Sequence, residues 1–137
     1  MDIPPHAFQY SFTVEQSAID VLGHVNNTVY LDWVQEVSAA HWEQLASKAI
    51  RQDNLWVVLR HEIDYLSPAF EKDTIIAYTW VGQTGGPRSV RHVHFYNQSN
   101  QKLLAKAATT WCLLQSSTMR PKRIDKGMME LLRPVRG

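Results

Sequence analysis

The sequence predicts an α+β domain in which a curved antiparallel sheet of five strands wraps around one long helix. Three observations predict it. Only one segment carries a long helical stripe: Tyr30, Trp33, Val34, Val37, His41 and Leu45 recur at spacings of three and four. Five other segments read as strands, the first with strict period-two alternation. The last four follow one another with gaps of about five to eight residues, which suit hairpins and are too short for helical crossovers.

The first strand is expected over residues 7–17, where Phe8, Tyr10, Phe12 and Val14 alternate with polar residues. Residues 18–26 break that pattern with Gly23 and asparagine, which are loop signals. The helix should then run from about Asn27 to about Lys48, capped by Asn26 or Asn27. The second strand spans Leu55–Leu66, with Leu55, Val57, Leu59, Ile63 and Tyr65 on one face, and Ser67-Pro68 ends it. Trp56 and Val58 should then share the other face with Arg60, Glu62 and Asp64. Thr74–Val81, Ser89–Tyr96 and Leu103–Gln115 complete the sheet, the first two separated by Gly82 and a Gly85-Gly86-Pro87 turn. Asp125–Leu132 reads as a short terminal helix. One helix cannot cover both faces of five strands, so it becomes the core and the outer face meets water or a partner. Ile76, Tyr78 and Trp80 form an apolar row there, which predicts a homo-oligomer.

At 137 residues the whole chain, 1–137, is expected to be one domain, and 45% hydrophobic residues with 20% charged exclude intrinsic disorder. A single cysteine, Cys112, excludes an internal disulfide framework and a Cys-based zinc site. The absence of a signal-like N-terminus and of a long apolar run leads to an expected cytoplasmic location with no membrane partner. The net charge of +1 conceals an asymmetry: residues 1–85 hold four Lys/Arg against eleven Asp/Glu, residues 86–137 ten against two. The basic half suits a phosphate-bearing or acidic partner. Nucleic acid is not expected, because no aromatic-interleaved basic signature is present.

The segment Asp20-Val21-Leu22-Gly23-His24-Val25-Asn26-Asn27-Thr28-Val29-Tyr30 is the most informative. Its Asp-x-x-Gly-His-Val-Asn-Asn string resembles the hotdog-fold thioesterases of the 4-hydroxybenzoyl-CoA thioesterase type. It is also similar to plant-type acyl-acyl-carrier-protein thioesterases, and Tyr65-Leu66-Ser67-Pro68-Ala69 sits where the family has a Pro-Ala segment. The resemblance covers nearly the whole chain. It implies a hotdog fold, hydrolysis of an acyl thioester, a site between two subunits of a homodimer or homotetramer, and no metal or organic cofactor. One position departs: plant-type enzymes carry Asn two residues after the aspartate, where this chain has Leu22. That argues against assuming a carrier-protein substrate.

The chemistry of the segment stands beside the resemblance. Thioester hydrolysis needs an activated water or a nucleophile, and donors for the developing oxyanion. Asp20 lies seven residues before Asn27, close enough to bring a carboxylate to the unpaired N–H groups of a helix start. Asp20 is expected as general base or nucleophile, and the Asn27 N–H, or alternatively that of Thr28, as oxyanion donor. His24 would orient water or the substrate carbonyl, or pack in the turn. Asn26, Thr28 and Tyr30 would line the substrate site. Each also has a plainer reading: Asp20 as a loop carboxylate, Asn26 and Asn27 as turn and cap residues.

Elsewhere the plainer readings prevail. Glu36, on the helix, could assist as some hotdog enzymes place a carboxylate there, but it and Glu43 read as solvated. His92 and His94 point to one side of a strand and read as a polar sheet face, and Cys112 as a buried inert thiol. Arg88, Arg91, Arg120, Lys122 and Arg123 are candidates for the phosphates of CoA. The expected function is acyl-CoA hydrolysis, with acyl carrier protein as the alternative carrier and a non-catalytic acyl-binding module as the alternative class.

Overall fold

In a computed structural model, described for residues 3–135, the sheet curls around the long helix as the sequence predicts. The elements in chain order are β1 (Phe8–Thr13), a 3-10 turn (Gln16–Ala18), α1 (Asn27–Leu45), α2 (Lys48–Asp53), β2 (Asn54–Tyr65), β3 (Thr74–Gly85), β4 (Arg88–Asn97), β5 (Leu103–Gln115), β6 (Arg120–Pro121) and α3 (Lys126–Leu132). The strands are all antiparallel, in the order β1-β3-β4-β5-β2, and the two-residue β6 adds to β5. β2 is therefore a long edge strand.

The core lies between α1 and the concave face. Tyr30, Trp33, Val34 and Val37 of the helix pack on Ile75, Ala77, Val93, Phe95, Ala105 and Ala107 of the strands. A second cluster closes the far end, where Trp42, Leu45 and Ile50 meet Val81, Leu113, Ile124, Met128 and Leu132. Both clusters bury the stripe that marks α1 in the sequence.

Four features differ from the sequence reading. β1 stops at Thr13, because the polar run Glu15-Gln16-Ser17 turns away instead of continuing the ladder. α1 stops at Leu45, and Ser47 starts a second helix by accepting from the Ile50 N–H at 3.2 Å. β3 continues past Val81 through a bulge to Gly85, so the β3–β4 turn is only Gly86-Pro87, with Gly86 at φ 57°. The fourth concerns β2. A bulge between Val58 and Arg60 leaves Leu59 unpaired and reverses the alternation. Trp56 and Val58 accordingly share the helix-facing side with His61, Ile63 and Tyr65, opposite Leu113, Trp111, Thr109, Ala107 and Ala105. Leu55 and Val57 go with Arg60, Glu62 and Asp64 on the outer side, which corrects both expected faces.

The outer face carries the Ile76, Tyr78, Trp80 row and the two strand histidines. Trp80 stacks on His92 at 5.4 Å and meets the edge of His94 at 4.8 Å. Burial lowers the pKa of both histidines, that of His94 to about 4. Among the described residues no group of three or more His, Cys, Asp or Glu could hold a metal ion. No helix there is long and apolar enough to cross a membrane.

On the inner side His41 is buried, stacked on Phe8 at 5.0 Å, and its pKa is lowered to about 3 by burial first, then by Arg91 and His6. Unfolding returns His41 to an ordinary value near 6.5, so between about 3 and 6.5 the unfolded chain binds a proton that the folded chain refuses. Stability is expected to be full above about 6.5 and to fall as the pH drops through that window. Melting temperatures of wild type and His41→Gln across it check this: the slope should be shallower in the variant.

Candidate functional site

The loop before α1 is organised by its own carboxylate. Asp20 Oδ1 accepts from the N–H groups of Leu22 at 2.9 Å and His24 at 3.3 Å. The Asp20 N–H donates to the His24 carbonyl at 2.8 Å, and the Gly23 N–H to the Asp20 carbonyl at 3.1 Å. Gly23 sits at φ 81°, a backbone conformation that a side chain disfavours, and it lets the loop close this tightly. Asp20 Oδ2 has no partner among the described residues. One oxygen thus fixes the loop while the other is not engaged by any described residue.

The loop is tied to the rest of the fold on both sides. Ile19 and Val25 form an antiparallel bridge. The Val25 N–H donates to the Ala69 carbonyl and the Asn26 N–H to the Ala18 carbonyl, both at 2.9 Å. The Tyr65–Ala69 segment therefore becomes the facing wall, and the Tyr65 hydroxyl donates to the Asn27 carbonyl at 3.1 Å.

Asn26 is the N-cap of α1. Its Oδ1 accepts from the Thr28 N–H and from Thr28 Oγ1, each at 3.0 Å. This removes Thr28 as the alternative oxyanion donor, because its N–H is already engaged. The Val29 N–H is bonded to the Asn26 carbonyl at 2.9 Å. The Asn27 N–H is left without a partner among the described residues, at the positive end of a 19-residue helix. Replacing the cap by Asn26→Ala is expected to cost about 1 kcal/mol of stability, read as a lowered denaturation midpoint.

Asp20, Leu22, His24, Asn26, Asn27 and Tyr30 line one cleft of about 410 Å³ with Tyr65–Ala69 opposite. The structure thus brings together five of the eight sequence-predicted site residues, leaving out Thr28, Arg88 and Arg91. His24 stands edge-on to Phe70 with ring centroids 5.2 Å apart. Tyr30 is buried among Trp33, Tyr65 and Phe95, and its hydroxyl has no partner among the described residues. Burial, with Tyr65 and Asp73 nearby, pushes the Tyr30 pKa up to about 12, so it remains a donor. Val21, Leu22, Leu66 and Phe70 are exposed apolar residues around the loop.

The two arginines part company. Arg88 is exposed at the start of β4. Arg91 is not a surface cation: it is 6% exposed, with Nη1 against His41 Nδ1 at 2.7 Å and donating to Thr79 Oγ1 at 3.0 Å. The reason is period two, since Ser89, Arg91, Val93 and Phe95 all face the helix. Glu36 is exposed and accepts from the Tyr10 hydroxyl at 3.1 Å. A second, larger cavity of about 620 Å³ lies beside the middle of α1 and has no counterpart in the sequence reading. Its walls come from all three α-helices and from β2, β3, β4 and β5, so no single segment announces it.

Comparison with known proteins agrees with this architecture. The family described as the acyl-ACP thioesterase N-terminal domain matches residues 5–132. No curated protein sequence matches the chain. Among solved structures, the probable thioesterase YbaW of Escherichia coli superposes with a TM-score of 0.80 at 22% identity, over 90% of this chain and 95% of that one. A 1,4-dihydroxy-2-naphthoyl-CoA thioesterase of Synechocystis gives 0.80 at 17% identity, over 93% and 96%. A hypothetical protein of Staphylococcus aureus, solved in complex with CoA, gives 0.82 at 14% identity, over 93% and 82%. These likenesses establish the hotdog fold, and the sequence match establishes the family. The chain belongs to the acyl-ACP thioesterase N-terminal domain family and is a thioester hydrolase of the hotdog fold.

Proposed function

We propose that this enzyme hydrolyses acyl-CoA to a carboxylic acid and CoA, using Asp20 and the Asn27 N–H. One observation carries the reading: a carboxylate with a free oxygen and an unpartnered helix N-terminal N–H line the same cleft. The N–H polarises the thioester carbonyl and receives the oxyanion. As general base, Asp20 takes a proton from the water that attacks the carbonyl carbon, and the C–S bond breaks as that proton passes to the departing sulfur. As nucleophile, Asp20 displaces the thiolate to form an anhydride, which water then hydrolyses to the acid and free Asp20, its second proton going to the thiolate. His24 and the Tyr30 hydroxyl shape the substrate side of the cleft.

The proposed working unit is a homodimer. β2 is a twelve-residue edge, and an exposed edge invites pairing with a second copy. Arg88, Arg120, Lys122 and Arg123 gather where β5 ends at Gln115, whereas the Asp20 loop is tied to the other end near Leu104. Eleven residues of β5 separate the two ends, roughly 35 Å, so a chain's own basic residues are far from its own cleft. Antiparallel pairing across β2 brings the basic end of one copy to the cleft of the other. CoA phosphates then meet arginine and lysine from the partner. A molecular mass near twice 15.8 kDa by sedimentation equilibrium is expected, and a monomer would count against this arrangement.

Thiol release from acetyl-, octanoyl-, palmitoyl- and benzoyl-CoA tests the activity. Turnover on at least one ester is expected. The family name favours a second carrier, acyl carrier protein, whose acidic surface would suit the same basic residues. Turnover of the carrier-bound ester alone would select it.

A further inference from the structure

Arg91 is the most unusual charge in the chain. It is buried, and among the described residues no carboxylate lies within ion-pair distance of it; the one side-chain ion pair among them is Arg60–Glu62 at 3.3 Å, on the surface. A buried guanidinium without a counter-ion is costly, and proteins keep such groups paired. Its Nη1 is used by His41 and Thr79. Its Nη2 and Nε have no acceptor among the described residues. Burial lowers its pKa to about 10, which leaves it charged at neutral pH.

Arg91 lines the cavity of about 620 Å³. That volume lies within the roughly 300–1,000 Å³ typical of small-molecule sites. The cavity has an apolar body, with Trp42, Trp56, Val81, Trp111 and Leu132 among its walls. Trp111 and Asn54 also line it, and Trp111 Nε1 and Asn54 Oδ1, both shut off from solvent, have no partner among the described residues. Glu36 and Glu43 also line it, but neither pairs with Arg91. An unpaired planar cation on an apolar cavity fits a flat anion with a greasy body.

We infer that this cavity binds a carboxylate borne on an alkyl or aryl body, its oxygens received by the free edge of Arg91. Resting on the thioesterase reading, two sources supply that chemistry. One is a terminal carboxylate at the far end of the substrate's acyl group, and the other is a free carboxylic acid of the product class. The cavity shares no lining residue with the Asp20 cleft of its own chain. It lies at the Asn54 end of β2, the end that the proposed antiparallel pairing would set beside the partner's cleft.

Trp42, Trp56 and Trp111 make binding visible by tryptophan fluorescence. Titration with octanoate and with 1-octanol is the first arm. Octanoate should bind at least about tenfold more tightly, as expected for a charged hydrogen-bonded pair. Arg91→Met should abolish that preference while octanol affinity persists, which shows that the cavity is still formed. Ala39→Phe fills the cavity from the helix without touching Arg91, and should weaken both ligands. Equal affinities in the wild type, or a preference that survives Arg91→Met, would overturn the inference. The second arm compares the CoA thioesters of octanoic acid and of suberic acid, the latter with one free carboxylate. A preference in kcat/KM for the suberyl ester, lost in Arg91→Met, assigns the site to the substrate's far end. Equal turnover with octanoate still bound assigns it to the free acid. Because binding is read without turnover, loss of all esterase activity would sink the acyl-CoA reading and leave the Arg91 result standing.

Discussion

An Asn27→Pro enzyme is expected to lose about 10²–10³-fold in kcat while keeping its fold, the cost of removing one oxyanion donor. Proline removes the backbone N–H and nothing else of the helix. Asn27 is the first residue inside α1, where that N–H has no intrahelical partner and proline is well tolerated. The preceding Asn26 has φ −64° and ψ 133°, an extended conformation that a following proline prefers. Asn27→Ala is the control. It loses the same side chain but retains the N–H, so its kcat should stay near that of the wild type. If both variants fall together, the side chain matters and the N–H does not. Single-turnover thiol release with a saturating ester is the measurement.

Asp20→Asn should lower kcat by at least about 100-fold, as loss of a general base or nucleophile does. The substitution is informative because asparagine can still accept from Leu22 and His24, at 2.9 and 3.3 Å in the native loop. The loop is held and the charge is removed. An unchanged melting temperature with lost turnover identifies chemistry, whereas a parallel fall in both identifies a structural carboxylate. Single turnover in heavy-oxygen water then tests direct attack. Label found in Asp20 marks a covalent intermediate cleaved at the aspartyl carbonyl, whereas label in the product acid alone fits a general base or an anhydride cleaved at its acyl carbon. Turnover that ignores the substitution would discard Asp20 and direct attention to Glu36.

Much of this site is legible in the amino-acid sequence, and the reason is local. The Asp20 loop, the Asn26 cap and the start of α1 are contiguous, so short-range hydrogen bonding decides them. The helix and the sheet are legible because periodicity reports burial directly. Whatever one inserted residue or a distant partner decides is not. Leu59 turns β2 over because a bulge leaves no mark in the alternation that precedes it. The charge of Arg91 points to the surface, although Ser89, Val93 and Phe95 place its position on the core face. The 3-10 turn at Gln16–Ala18 and the two-residue β6 depend on contacts made elsewhere and have no signal of their own.

The helix that carries the proposed donor is unevenly sheltered. Val34 and Val37 are wholly buried beneath the curled sheet, while Asn27 and Thr28 lie at the surface. Amide protons in the middle of α1 should therefore exchange with deuterium only when the whole molecule opens, and those of its first turn within the native state. Such a gradient separates two lifetimes on one rod. The anchored half holds the direction of the axis, and the open end can shed and regain water at each catalytic cycle without disturbing it.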